Sequence, residues 1–239
     1  MPTIMDYFAG GTAPDSSSYY KMEKSFQRLK KIEENKSTPA QRRGLNLGIA
    51  ARSGRSIRVG LKEVLPNPAD RNMQGRFQGA IASWLGASVV SELAHFEQAP
   101  FINKFQFIKD QDFKERFKVP ITVTQYQENL ITVSIDAFIP RSSIISPAGT
   151  ISVELVLAVA GCMLQGGTPT GNKTINIVIP YNKLTQRAQV IKFPIHTPAG
   201  SLTVTAARLI YHGKKNSLST KINDAAFIAA GVLNARYSF

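Results

Sequence analysis

The hydrophobic pattern of the chain changes its period near residue 100, and this change limits the folds that the chain can adopt. Before that point, apolar residues recur every three to four positions, as in Met73, Phe77 and Ile81, which predicts amphipathic helices. After it, β-branched runs such as 121–124 and 130–135 alternate apolar and polar residues, which predicts strands. The sequence therefore predicts helices first and a β-structure afterwards.

About eight strands are predicted over the last 140 residues or so, with no long helix between them. Turn sequences such as Thr197-Pro198-Ala199-Gly200 separate them. This spacing favours an antiparallel β-sandwich, Ig-like or jelly-roll, over an alternating α/β layout. The predicted fold class is α+β, with a flexible leader over 1–18, a basic helical region over 19–99 and a β-sandwich domain over 100–239.

Three helices are predicted before the strands. The first covers 19–35, and the second begins at Thr38-Pro39, where proline is tolerated in the first turn. Gly54 weakens the second helix, which is expected to stop or bend there. The third opens at 68–70 and reaches about Gly86.

The excess of positive charge is concentrated in one part of the chain. The formal net charge is +13, and residues 20–76 hold 14 of the 29 lysines and arginines against 5 of the 16 acidic residues. Such a surface attracts polyanions such as nucleic acid, or acidic protein faces. A solvated basic surface, or ion pairing to a partner subunit, accounts for it equally well.

Arginines recur at helical spacing within this basic region. Arg52, Arg55, Arg58 and Lys62 are three to four residues apart, so they line one face of a helix. Guanidinium groups bind phosphates and carboxylates alike, so the row fits a nucleic-acid backbone, a protein partner or plain solvation. The predicted polyanion- or partner-binding residues are Arg42, Arg43, Arg52, Arg55, Arg58, Lys62, Arg71 and Arg76.

Two pairs of glycines lie four residues apart inside the predicted helices. Glycine costs a helix about 1 kcal/mol relative to alanine, so its presence at this spacing suggests that backbones approach closely there. Weaker helix formation over these segments is the alternative. The predicted helix-packing positions are Gly44, Gly48, Gly75 and Gly79.

Residues that carry catalysis or bind metals are scarce. The three histidines, His95, His196 and His212, have no companion at metal-binding spacing. Cys162 lies in an apolar strand, where a thiol acts as a small hydrophobe. Asp110 and Asp112 form a close pair, but lysine and arginine neighbours indicate a solvated loop or short helix.

A stretch similar to a phosphate-binding loop, 166–174, is interpreted as a hairpin loop. One extra residue, Asn172, precedes Lys173-Thr174, and a β-branched run follows where that motif needs a helix.

The sequence therefore predicts no enzyme, no catalytic residue, no bound metal and no cofactor.

Two short segments resemble uncharacterised proteins of Bacteroidota that have a basic Arg- and Gly-rich N-terminal segment and a C-terminal Ig-like domain. The segments are Met73-Gln74-Gly75-Arg76-Phe77 and the ending that runs from Asn223 to Phe227 and from Ala230 to Ala235. The resemblance implies an Ig-like fold and no known activity. A basic arm before an eight-stranded sandwich also resembles small viral coat proteins in architecture.

These features favour a non-catalytic structural or assembly protein. We expect the chain to form a homo-oligomer or part of a larger assembly. Its basic helices would dock on neighbouring subunits or on another partner. The alternative is a nucleic-acid-binding protein that uses the arginine row on the phosphate backbone, including a coat-protein-like role. The N-terminus has no apolar core of a signal peptide, and the longest apolar stretch is too short for a membrane span. A cytoplasmic location is expected, while a virion location and export without a signal stay open.

Overall fold

A computed structural model describes residues 39–66, 70–90, 99–126, 129–215 and 218–238. The chain divides into two compact units, Met1–Gly44 and Leu45–Phe239. Of the first unit, only 39–44 are described, and they form the start of a helix. The predicted leader and the predicted helix over 19–35 lie outside the described residues, as does His95.

Two long helices precede the strands, α1 at Pro39–Gly60 and α2 at Met73–Val90. Helix α1 begins at the predicted proline and continues without interruption through Gly54, where it was expected to stop or bend. Gly54 is buried against α2, since a Cβ atom there would lie 3.4 Å from Ile81 Cδ1, in ordinary van der Waals contact. Three one-turn helices follow, namely α3 at Pro100–Asn103, α4 at Phe113–Arg116 and α5 at Pro140–Ser143.

Eight strands are present in the described part of the chain, which confirms the prediction of a helical part followed by antiparallel sheets. They are β1 at Ile121–Tyr126, β2 at Leu130–Ile135, β3 at Thr150–Met163, β4 at Pro169–Pro180, β5 at Gln189–Pro194, β6 at Ser201–Lys215, β7 at Leu218–Ile222 and β8 at Ala229–Tyr237.

The strands form two antiparallel sheets. The larger has the order β4-β3-β6, and β6 then pairs with β8 along its first half and with β7 along its last residues. The smaller has the order β1-β2-β5. The stretch that resembled a phosphate loop lies at the turn between β3 and β4 and at the start of β4. Gly166 and Gly167 adopt positive φ in that turn, and a strand follows it where a phosphate loop would need a helix.

Strand β3 is buried on both faces along most of its length. This burial explains why the longest apolar stretch of the sequence lies within it. Its alternate residues belong to two separate cores. The core on one face, shared with the smaller sheet, includes Val153, Leu155, Leu157 and Val159. The core on the other face, shared with α1 and α2, includes Val156, Ala158, Ala160 and Cys162.

The helices therefore cover the face of the larger sheet that the smaller sheet leaves open. Ile57 and Leu61 of the α1 segment, and Phe77, Ile81 and Trp84 of α2, are buried in the core on that face. Position 99, where the sequence suggested a boundary, lies inside the compact unit Leu45–Phe239. This packing fixes α1 against the sheet and leaves its opposite side exposed.

Candidate functional site

The exposed side of α1 carries a stripe of residues at alternating spacings of three and four. We call these six residues the outer stripe: Leu45, Gly48, Arg52, Arg55, Val59 and, in the turn after the helix, Lys62. Val59 is 64% exposed and Leu45 is 42% exposed. An alternation of three and four is the spacing by which one helix packs along another.

The outer stripe keeps its positive charge. Among the described residues, no carboxylate lies within 4.0 Å of Arg52 or Arg55, both of which are exposed. Lys62 Nζ lies 3.7 Å from Glu63 Oε1, but both side chains are mostly exposed, so this pair contributes little. The stripe is therefore a cationic surface that is held in place by the core beneath it.

Arg58 differs from its neighbours in the predicted row because it lies at the flank of the stripe and is partly buried. Burial lowers the pKa of its guanidinium group, and the nearby charge of Arg55 lowers it further. Arg71 is exposed near the start of α2, and Arg42 and Arg43 are exposed within the first unit. The structure thus brings Arg52, Arg55 and Lys62 together on one face.

Arg76 is bound within the chain and is not carried into the candidate site. Its Nη2 donates to Asp70 Oδ2 at 2.6 Å, and its Nη1 donates to the carbonyl oxygen of Gln106 at 3.0 Å. Its guanidinium group also lies 5.0 Å from the ring centre of Phe105. The Asn72 amide and Arg76 together lower the pKa of Asp70. Arg76 therefore fastens α2 to the segment that follows it.

The four glycines of the predicted packing set do not bring the described helices together. A Cβ atom at Gly44, Gly75 or Gly79 would meet no described atom within 4 Å. A Cβ atom at Gly48 would meet only Arg52 Nη1, at 3.7 Å. Packing of these glycines against helices of another chain stays a prediction. Among the glycines of α1, the close approach occurs instead at Gly60, where a Cβ atom would lie 2.6 Å from Ala160 Cβ.

The two described histidines lie apart. His196 Nδ1 is 2.7 Å from Asn129 Oδ1, beside the smaller sheet. His212 Nε2 is 3.1 Å from Glu154 Oε2 on the larger sheet. Across the described ranges, no group of three or more histidine, cysteine, aspartate and glutamate side chains could hold a metal ion. Asp112, one of the predicted aspartate pair, caps α4 by accepting from the Lys114 amide at 2.9 Å.

Sequence analysis missed a polar cluster on β3, β4 and β6. Glu154 accepts a hydrogen bond from Asn176 Nδ2 at 2.8 Å, in addition to its contact with His212. Arg208 lies nearby on β6 and is buried. These residues are far apart in sequence, so spacing did not reveal them. The available signal was an arginine among the apolar residues of the run 206–210.

Cys162 is a buried thiol at the junction of β3 and α1. Its Sγ donates to the carbonyl oxygen of Ser53 at 3.8 Å. Burial raises the pKa of the thiol to about 11, although the Ser53 side chain acts in the other direction. The thiolate, which is the reactive form, is therefore scarce at neutral pH.

We expect Cys162 to react with a maleimide or a disulfide reagent at pH 8 at least about 100-fold more slowly in the folded protein than in denaturant. The reason is the raised pKa together with burial under α1. Stopped-flow or mass-spectrometric labelling measures both rates. Equal labelling rates in the folded and the denatured protein would contradict this expectation. They would mean that α1 separates from the sheet often enough to expose the thiol.

No family model matches the chain, and no curated protein matches it. Three solved structures show partial similarity. A red sea bream transglutaminase is 14% identical, with a TM-score of 0.26 over 51% of this chain and 16% of its own. A putative β-galactosidase of Bacteroides fragilis is 16% identical, with a TM-score of 0.24 over 44% of this chain and 16% of its own.

The third structure is an Arabidopsis thaliana protein determined in solution. It is 9% identical, with a TM-score of 0.19 over 48% of this chain and 77% of its own. Similarities with TM-scores this low define neither a family nor an activity for the chain. Within the described residues, no helix is both long enough and apolar enough to cross a membrane.

Proposed function

We propose that this chain is a non-catalytic structural or assembly protein, in which the β-sandwich is the rigid module and the outer stripe of α1 docks on a neighbouring subunit. The observation that supports the proposal is the composition of the stripe. It combines exposed apolar residues, Leu45 and Val59, with arginines that lack a carboxylate partner among the described residues. Arginine and exposed apolar groups together are typical of protein interfaces.

The charge of the stripe determines which kind of contact it can make. If two copies met stripe to stripe, Arg52 and Arg55 of one copy would face arginines of the other, and like charges in contact destabilise an interface. The stripe therefore docks on a different, acidic surface of the neighbour. Such a head-to-tail contact builds rings or open filaments rather than two-fold dimers.

Nucleic-acid binding, including a coat-protein-like role, is the second candidate. It is favoured by the same uncompensated charges at Arg52 and Arg55, and by the net charge of +13. The apolar residues between the cations favour the protein partner, because phosphate contacts gain nothing from exposed Leu45 and Val59.

Reversing two charges of the stripe, with Arg52→Glu and Arg55→Glu together, is expected to weaken self-association by about tenfold or more. The matched control is Lys183→Glu with Arg187→Glu, which changes the net charge equally at exposed positions between β4 and β5. Sedimentation and light scattering over a concentration series at moderate salt measure the association of all three proteins.

A chain that stays monomeric at every concentration would contradict the assembly proposal, as would equal losses in the two double variants. The same series with duplex DNA tests the second candidate. Binding that weakens steeply with salt, with a slope that becomes shallower in an Arg52→Ala, Arg55→Ala, Arg58→Ala variant, would favour nucleic acid instead. An unchanged slope would remove these arginines from the DNA interface.

A further inference from the structure

A cavity of about 290 Å³ opens beside β6, where that strand changes partners. The pairing of β6 with β8 ends at Leu209 opposite Ala229, and its pairing with β7 starts at Tyr211 opposite Ile222. Between these points, the chain over 223–228 leaves the sheet and forms one wall. The lining includes Arg208, Ile210, Lys221, Ile222, Phe227 and Ile228. We call this space the β6 cavity.

Arg208 brings a buried positive charge to the β6 cavity. The residue is only 8% exposed. Its Nη1 donates to the carbonyl oxygen of Leu65 at 2.8 Å, while its Nε is buried and has no hydrogen-bond acceptor in the described structure. No carboxylate among the described residues lies within 4.0 Å of it.

The acidic group whose charge acts on Arg208 does not form an ion pair with it. Glu154 acts on Arg208 at a distance and opposes the fall in its pKa that burial causes. Both oxygens of that carboxylate already have partners, Asn176 Nδ2 and His212 Nε2. Because guanidinium groups stay protonated in proteins, Arg208 keeps its charge at neutral pH. A buried charge without an ion pair is costly, and an anionic ligand would lower that cost.

Lys221 adds a second cation at the mouth of the cavity, where it is exposed. Burial lowers the pKa of its amino group, the charge of Arg208 lowers it further, and Glu154 acts in the opposite direction. Two cations that line one cavity repel each other. An anion bound between them removes that repulsion and gains from both charges.

We propose that the β6 cavity binds a small monocarboxylate with a short apolar body. The carboxylate is held by Arg208 and Lys221, and the apolar body lies against Ile210, Phe227 and Ile228. The apolar walls favour such a ligand over inorganic phosphate, which would leave them uncovered. Asp224, whose carboxylate accepts from the Ala226 amide at 3.0 Å, also lines the cavity and opposes any anion there, so it disfavours doubly charged phosphate more than a monocarboxylate.

Butyrate is the probe that tests this site, and butyramide is its neutral counterpart of the same shape. We expect saturation-transfer NMR and calorimetry to show butyrate binding, with butyramide and phosphate at least about tenfold weaker. Lys221→Glu is expected to weaken butyrate binding about tenfold or more. Lys214→Glu is the matched control, since Lys214 is exposed on β6 and does not line the cavity.

Circular dichroism of both variants verifies that they are folded, which is expected because both lysines are exposed. Equal binding of butyrate and butyramide would overturn the proposal, and so would full affinity in Lys221→Glu. Phosphate binding as tight as butyrate would overturn the assignment to a monocarboxylate. The test uses no residue of the outer stripe, so its outcome is independent of the assembly experiments.

Discussion

Replacing Phe77 by alanine is expected to lower the free energy of unfolding by about 3–5 kcal/mol. Phe77 is fully buried where α2 meets the segment before the strands. Its ring centre lies 5.0 Å from that of Phe105 and 6.2 Å from that of Phe107. The substitution removes the aromatic contacts and leaves a cavity between the helices and the sheet, which the surrounding structure fills only in part.

Phe101→Ala is the matched control, because it makes the same chemical change at a residue that is 51% exposed. Its expected cost is below about 1 kcal/mol. Chemical denaturation followed by circular dichroism measures both values. Losses of similar size would show that α2 is not held to the rest of the unit through Phe77.

Gly60→Ala is the second large effect expected, a destabilisation of about 1–3 kcal/mol. Alanine is the better helix former, so propensity alone predicts the opposite sign. A Cβ atom at Gly60 would lie 2.6 Å from Ala160 Cβ and 3.3 Å from Asn172 Cβ. Neither atom is at the flexible end of a side chain, so α1 would have to move away from β3 and β4.

Gly79→Ala is the comparison, since a Cβ atom at that exposed helical position would meet no described atom within 4 Å. There we expect a gain of about 0.5–1 kcal/mol from helix propensity. Denaturation midpoints of the two variants should therefore move in opposite directions. A stabilising Gly60→Ala would mean that α1 does not rest on the sheet as closely as described.

The features that could be predicted from the sequence are those set by neighbouring residues. The alternation within 121–124 and 130–135 is local, and these segments became the hairpin β1–β2. The spacing of Arg52, Arg55, Arg58 and Lys62 is also local. The helix places the first two and Lys62 on one exposed face, whereas Arg58 lies at its flank and is partly buried.

The features that were missed depend on contacts between distant parts of the chain. Gly54 was expected to stop or bend α1, but α1 continues through it, and the position faces Ile81, 27 residues away. Arg76 was grouped with the surface arginines, although the carbonyl oxygen of Gln106 holds it within the chain. Arg208 and Glu154 came together only through the register of β3 and β6. The spacing of residues in the sequence predicts which face of a helix or strand a side chain occupies, but it does not predict which distant residue that side chain contacts.

Strand β3 has paired neighbours at both edges and packed cores on both faces. For protein engineering, this enclosure makes the buried stretch 155–162 of β3 the part of the scaffold to leave unchanged, because a polar side chain placed there would lose water without gaining a partner. The outward side of β4 at Val178, which is 67% exposed, offers the opposite situation. New sequence grafted at such positions would change the surface and leave the buried framework as it is.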